Sequence, residues 1–437
     1  MIRKRNLVIL SLSIVIVSAS IITVSLVLLF QREDDNGTTD PDFSGEPFTT
    51  VWNTTKPGVS GNNQVRLPLE SSGNYYFLVD WGDGTDDIIT SWNQAEVIHT
   101  YGLEGVYVVN ITGTIIGWRF DDGGDCAKLI EIMQWGVLGL GNSGSYFAGC
   151  YNLNITATDI LNLTGTTTLE SAFEGCSKLN KVESMNDWDV SSVTNMAYMF
   201  QDTENFNQNI SAWDVSSVTT MEVMFERSRK FNQDISGWDV SIVTSMRYMF
   251  GSTDSFNQDI SGWDVSQVTN MMYMFFNTHN FNQDIGDWDV SNVLSMDSMF
   301  FAATSFNQDI GDWNVSNVVN MFQMFSNAFW FNQNISCWDV SSVTTMWGMF
   351  NDAGMFNQDL GSWNVSKVAV MTNMFKDVTL STPNYDSLLI GWSSLPSLQG
   401  YVNFHGGNSK YNSTTIDERQ ILIDVYNWTI TDGGVVT

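Results

Sequence analysis

FNQDISGWDVSIVTSMRYMF (residues 231–250) decides the fold, because near copies of it lie on both sides. Trp238 belongs to a series at 188, 213, 238, 263, 288, 313, 338 and 363, a spacing of 25 without slippage. Phe231 belongs to a second series running from 206 to 356, each member followed by Asn-Gln. Met246, Met249 and Phe250 recur at the same period from 196 to 375. A catalytic motif is needed only once. A phrase repeated at fixed period marks a solenoid, whose coils bury their apolar faces only against one another.

One coil is legible from its own pattern. Phe231, Gln233 and Ile235 alternate with Asn232 and Asp234, which predicts a short strand. Ser241, a Ser in every copy, stands where an N-cap would, and Val243, Met246 and Phe250 follow at helical spacing. The expected fold class is therefore an α+β repeat solenoid with one short strand and one short helix in each 25-residue coil. Identical rings then stack in ladders, and burying each Phe or Met side chain contributes roughly 1.5–3 kcal/mol. The repeated Asn (207 to 357) is expected to hydrogen-bond the backbone of the next coil. The methionines read as core filling rather than a soft-metal stripe.

Outside the array the composition changes. Leu7–Phe30 is 24 residues without a charge, preceded by Arg3, Lys4 and Arg5 and followed by Glu33, Asp34 and Asp35. That length spans a bilayer, and the basic flank places the N-terminus in the cytoplasm and the rest outside. A cleaved signal peptide ending near Ser18-Ala19-Ser20 is the rival, but the apolar run continues well past it. Residues 1–31 are read as cytoplasmic tip and signal-anchor, and 32–47 as a flexible stalk. With 18 basic and 48 acidic residues the net charge is −30, which argues against nucleic acid as a partner. Three His and four scattered Cys offer no zinc-ligand spacing, and no cofactor is expected.

Behind the stalk, WGDGT (81–85) followed by HTYGLEGVYVV (99–109) resembles the polycystic-kidney-disease (PKD) type domain. The resemblance implies a small all-β, immunoglobulin-like module over 48–118, short enough to lean on the repeats beyond it. Asp80, Asp83, Asp86 and Asp87 are calcium candidates there, with hydrogen-bonded turn carboxylates as the alternative. YFAGCYNLNITATDI (146–160) and SAFEGCSKLNKVESM (171–185) are looser repeats, placed within 119–187. Phe-x-Gly-Cys-x-x-Leu followed by the 25-residue phrase resembles the BspA-like leucine-rich-repeat surface proteins, including their mycoplasma-type form. NYDSLLIGW (384–392), VNFHGGNSKY (402–411) and NWTITDGG (427–434) look like the segment that closes such arrays. The regular solenoid is thus placed at 188–380 and its C-terminal cap at 381–437. Membership would imply adhesion or partner binding at the cell surface, without naming a ligand.

Acids are abundant, but identical environments repeated along a stack cannot separate the pKa values of an acid/base pair. Cys337 is the nearest thing to an isolated nucleophile, and a tolerated corner residue explains it better. The chain is therefore read as non-catalytic. Recognition should lie where the copies differ: Tyr198, Tyr248 and Tyr273 between the two methionines, Phe322 and Trp347 one residue earlier, and Phe276, Phe301, Phe329 and Trp330 in the following turns. Such rings can meet a partner or pack on each other. Cys150 and Cys176 sit on neighbouring coils and are open to a disulfide or to stacked thiols. The reading is a membrane-anchored surface protein that binds an extracellular protein or glycan. A self-associating coat component is the runner-up, and a carbohydrate-active enzyme ranks below both.

Overall fold

The computed structural model describes residues 43–436 apart from Lys181, so the anchor and most of the stalk lie outside the described residues. Among the described residues no helix is long and apolar enough to cross a membrane. The chain enters through β1 (Phe48–Asn53), β2 (Gln64–Arg66), β3 (Leu69–Asp80), β4 (Asp86–Ile89), β5 (Ile98–Thr100) and β6 (Val106–Trp118). It continues through β7 (Leu129–Gln134), β8 (Leu138–Gly139) and β9 (Asn154–Ile155). Seven of these form one sheet in the order β4-β3-β6-β1-β7-β9, with β8 beside β6, while β2 and β5 make a separate ribbon.

The boundary drawn at residue 118 needs correction. β7 pairs antiparallel with β1, and β9 pairs parallel with β7, so the sheet runs into the first loose repeats. Phe48, Trp52, Trp118 and Phe120 meet edge-on or tilted at 5.1–6.4 Å in a core shared across that boundary. A buried pin fastens it. Lys128 Nζ donates to Ser60 Oγ and to the carbonyls of Ser60, Gly61 and Gln64 at 2.7–3.1 Å, and lies 3.6 Å from Asp125. Asp125 in turn accepts from the N–H of Ser60 and of Arg66.

The coils depart from the expected strand and helix. Between Trp188 and Ser381 the described residues hold no α- or 3₁₀-helix and no extended strand, only turns and one parallel bridge per coil, such as Ser245 to Asn270. Tyr248 and Ser252 both stand at φ 56°, and the same two positions are left-handed in every regular coil. A left-handed residue ends a helical run and turns alternate N–H groups along the stack. Met246, Tyr248, Phe250 and Ser252 thus donate to the carbonyls of Asn270, Met272, Met274 and Phe276 one coil on, at 2.6–3.1 Å. Met249, Gly251 and Thr253 donate three residues back. A helix would satisfy these groups within the coil and leave little backbone bonding between coils. The left-handed cost, about 1–2 kcal/mol per non-glycine residue, is outweighed by those bonds and the packing they permit.

Two smaller readings are corrected with it. Ser241 is no N-cap: its own N–H donates to Asp239 Oδ1 at 3.1 Å, closing a turn with no helix behind it. Phe231–Ile235 is not a strand because side chains replace the ladder. Asn257 N–H donates to Asn232 Oδ1 at 2.9 Å, and Gln258 Nε2 donates to the Asn232 carbonyl at 3.0 Å; the next coil repeats both bonds, and in the preceding one Gln233 Nε2 donates to Asn207 Oδ1 instead.

Inside, the rings stack on their copies. Phe231 and Phe256 are 6.1 Å apart at 4°, Phe250 and Phe275 5.8 Å at 9°, and Trp213 and Trp238 6.4 Å at 2°. Each Trp Nε1 from 213 to 363 donates to a carbonyl 28 residues earlier. Helix α1 (Thr382–Ser393) takes the place of the next coil, since Trp392 Nε1 continues the series to Leu360. β10 (Asn403–His405) extends the bridge column from Met371 and pairs parallel with β11 (Thr429–Thr431), and α2 (Ile416–Asp424) lies between them in sequence.

Candidate functional site

The scaffold side chains are committed to stacking, so the outer turns carry whatever variation the coil allows. Tyr248 and Tyr273, both left-handed, stack face to face at 4.3 Å and 3°. Phe276 meets both edges-on and stacks on Phe301 at 4.9 Å. Phe322 and Trp347 form a second stack at 4.8 Å and 9°. These six are half-buried, so much of their ring surface is used on one another. Tyr198 is half-buried too and stands apart, because the intervening copy is the buried Val223.

Phe329 and Trp330 differ. They are 46% and 55% exposed and perpendicular at 5.2 Å. Phe329 is seated by Gly354 in the next coil, where a Cβ would stand 2.7 Å from its ring. Beside it opens a cleft of about 620 Å³, lined by Phe301, Phe329, Thr304, Asn327, Asp352 and Asp377 among others. The cleft therefore offers ring faces with carboxylates and an amide. Gly354 and the two aspartates were not singled out from the sequence. The signal was available in the copies of Gly354 (Glu204, Arg229, Asp254, His279, Thr304, Phe329), a column in which these seven coils never repeat a residue.

A buried carboxylate stands behind this row. Asp297 accepts from Ser298 Oγ at 2.7 Å, and its burial pushes the carboxyl above the usual range despite that bond.

The four calcium candidates do not converge. Asp80 accepts from the Gly82 N–H, Asp83 from Thr85 and, at 3.0 Å, sits against His99 Nε2, and Asp87 accepts from Trp81 Nε1 at 2.9 Å. Asp86 faces Asp80 across the β3–β4 pairing. Burial alone would raise the Asp83 carboxyl, but donation from Thr85 and His99 outweighs it and holds it below its usual range. Among the described residues no group of three or more His, Cys, Asp or Glu could hold a metal ion. Asp80 and Asp83 make turn bonds, whereas Asp86 and Asp87 lie in β4. All four cysteines are free; Cys150 and Cys176 are buried thiols, and Cys176 Sγ donates to the Phe147 carbonyl.

A protein-family model described as "Mycoplasma protein of unknown function, DUF285" matches residues 141–259, 166–287, 235–329 and 309–388. The four overlapping stretches together cover more than half of the chain. The chain belongs to the DUF285 family. The DUF285 matches begin in the loose repeats and end in α1, so they take in every regular coil and all the candidate rings. Searches of curated proteins and of solved structures found no match.

Proposed function

We propose that the chain is a non-catalytic recognition protein of the cell surface, anchored by its N-terminal apolar segment, which binds an extracellular protein or glycan through the outer aromatic row. The observation that carries this reading is the exposure of Phe329 and Trp330 beside an open cleft, on coils whose other large rings are buried or half-buried. Exposed aromatic rings grouped on one face are the usual anchors of a binding surface. The uncharged run Leu7–Phe30 with its basic flank and the resemblance to BspA-like surface repeats support the location. A scaffold whose backbone bonds do not depend on the outer residues leaves those residues free to vary with the partner.

The test is capture. The purified chain is screened against extracellular proteins and arrayed glycans, beside a Trp330→Ala/Trp347→Ala variant whose melting is checked first. Capture lost in the variant with melting unchanged supports recognition. Capture retained by the variant removes the aromatic row from the account. Concentration-dependent assembly of the chain alone would instead favour a coat component.

A further inference from the structure

We propose that the cleft between Phe301 and Phe329 receives the cationic side chains of a basic protein segment; this rests on the recognition reading above. The rings there supply π faces, which attract a guanidinium or ammonium, and Asp352 and Asp377 supply countercharge at the same cleft. The chain itself already fills equivalent positions this way further up the stack. Asp352 and Asp377 are the sixth and seventh copies of Asp202, and Arg227, the first copy, places Nη1 3.3 Å from the Asp202 carboxylate. Arg247 lies with its guanidinium carbon 4.9 Å above the Tyr248 ring in the same aromatic row. At the next column His279 Nδ1 is 2.9 Å from Asp254. Beyond His279 the pairing partners change to Thr304, Phe329 and Gly354, while the carboxylate column ends in two successive aspartates. The lower coils thus keep rings and carboxylates without an arginine or histidine at those two columns.

Two internal contacts compete and are weak. Lys376 Nζ approaches Asp377 at 3.7 Å with both side chains about half-exposed, and Asn351 Nδ2 donates to Asp352 at 3.0 Å. An exposed pair of that kind is readily replaced by an incoming guanidinium, which can take a carboxylate bidentately. The net charge of −30 brings a basic segment in and disfavours an acidic one. A neutral sugar would use the rings but gain nothing from the charge.

The experiment titrates the full chain with a fluorescent oligo-arginine peptide and, separately, a neutral glucose hexasaccharide. Three variants are compared: Asp352→Asn/Asp377→Asn, Phe329→Ala, and the charge-matched Asp234→Asn/Asp259→Asn on turns elsewhere in the coil. Peptide binding should weaken about tenfold in the first two and less than about twofold in the third. Equal weakening in all three means diffuse attraction to an acidic rod and overturns the site. Hexasaccharide binding that Phe329→Ala abolishes, with no peptide binding, overturns the cationic class while the recognition reading stands. Should peptide and sugar both fail while the capture screen also finds nothing, both readings fall.

Discussion

Replacing Trp288 separates the two contributions that hold the stack. Its ring is 3% exposed and lies 6.4 Å from Phe275, and its Nε1 donates to the Ile260 carbonyl at 3.1 Å. That carbonyl also accepts from the Trp263 N–H at 3.2 Å, so it keeps one donor when the indole is removed. Trp288→Phe therefore loses one neutral hydrogen bond and part of a ring, about 1–2 kcal/mol together. Trp288→Ala empties the site and should cost about 3–5 kcal/mol. Trp188 is the internal control: it is equally buried, but its Nε1 has no partner among the described residues. Trp188→Phe removes that unpaired donor, which offsets most of the lost ring area and leaves a net change near zero. Native-state hydrogen exchange is the appropriate assay, because a stack coupled only to its neighbours need not unfold in one step. The effect of Trp288→Ala should be largest in the coils containing Trp263 and Trp313 and fade outward. Equal costs for Trp288→Phe and Trp288→Ala would refute the view that packing outweighs the indole bond. A Trp188→Phe cost matching Trp288→Phe would refute the hydrogen-bond share.

Acid should loosen the array. Donation from the following Ser holds Asp189, Asp234, Asp239, Asp259, Asp289 and Asp339 below the usual carboxylate range. The folded chain then binds fewer protons than the unfolded one, so the stability these groups add is full above about pH 4 and is lost as pH falls through the lower folded values. Replacing all six by Asn, which makes the same turn bonds at 314, 334 and 364, should flatten the fall in denaturation midpoint between pH 6 and 3. A wild-type chain that gains stability over that range, through relief of its net charge, contradicts this. Lys128→Met should cost about 3–5 kcal/mol in the β-sheet region, because it leaves the buried Asp125 carboxylate without its countercharge and takes a donor from the carbonyls of Ser60, Gly61 and Gln64. Faster exchange over residues 56–66, with the coils beyond Trp188 unchanged, is the signature; a uniform loss would mean the pin does not act locally.

The period and the interior were legible because a ring that must lie on its own copy cannot drift in sequence. Phe231, Trp238, Met246 and Phe250 were each assigned inward, and each is buried. The path of the coil was not legible. Val243, Met246 and Phe250 satisfy helical spacing, yet a run of turns with left-handed residues at 248 and 252 buries the same three. Nothing at those positions announces it, since Tyr248, Val223 and Ala302 occupy left-handed sites usually given to glycine or asparagine. Only Gly348 does. The continuation of the sheet past residue 118 was hidden for a different reason. β9 is two residues long, too short to leave a pattern. At the cleft the rings were found because they break the repeat, and Asp352 and Asp377 were passed over because acids are common throughout.

The direction of the backbone bonds has a mechanical consequence. The N–H groups of Met246, Tyr248, Phe250 and Ser252 point from one coil to the next, so traction on the two ends of the stack loads those bonds one coil at a time. A sheet pulled in shear must break a whole ladder at once; this stack can part at a single boundary. Each coil released lengthens the chain from a rise of about 5 Å to roughly 85 Å of extended polypeptide. Under load it would yield in steps of one repeat, releasing slack while the coils still closed stay folded.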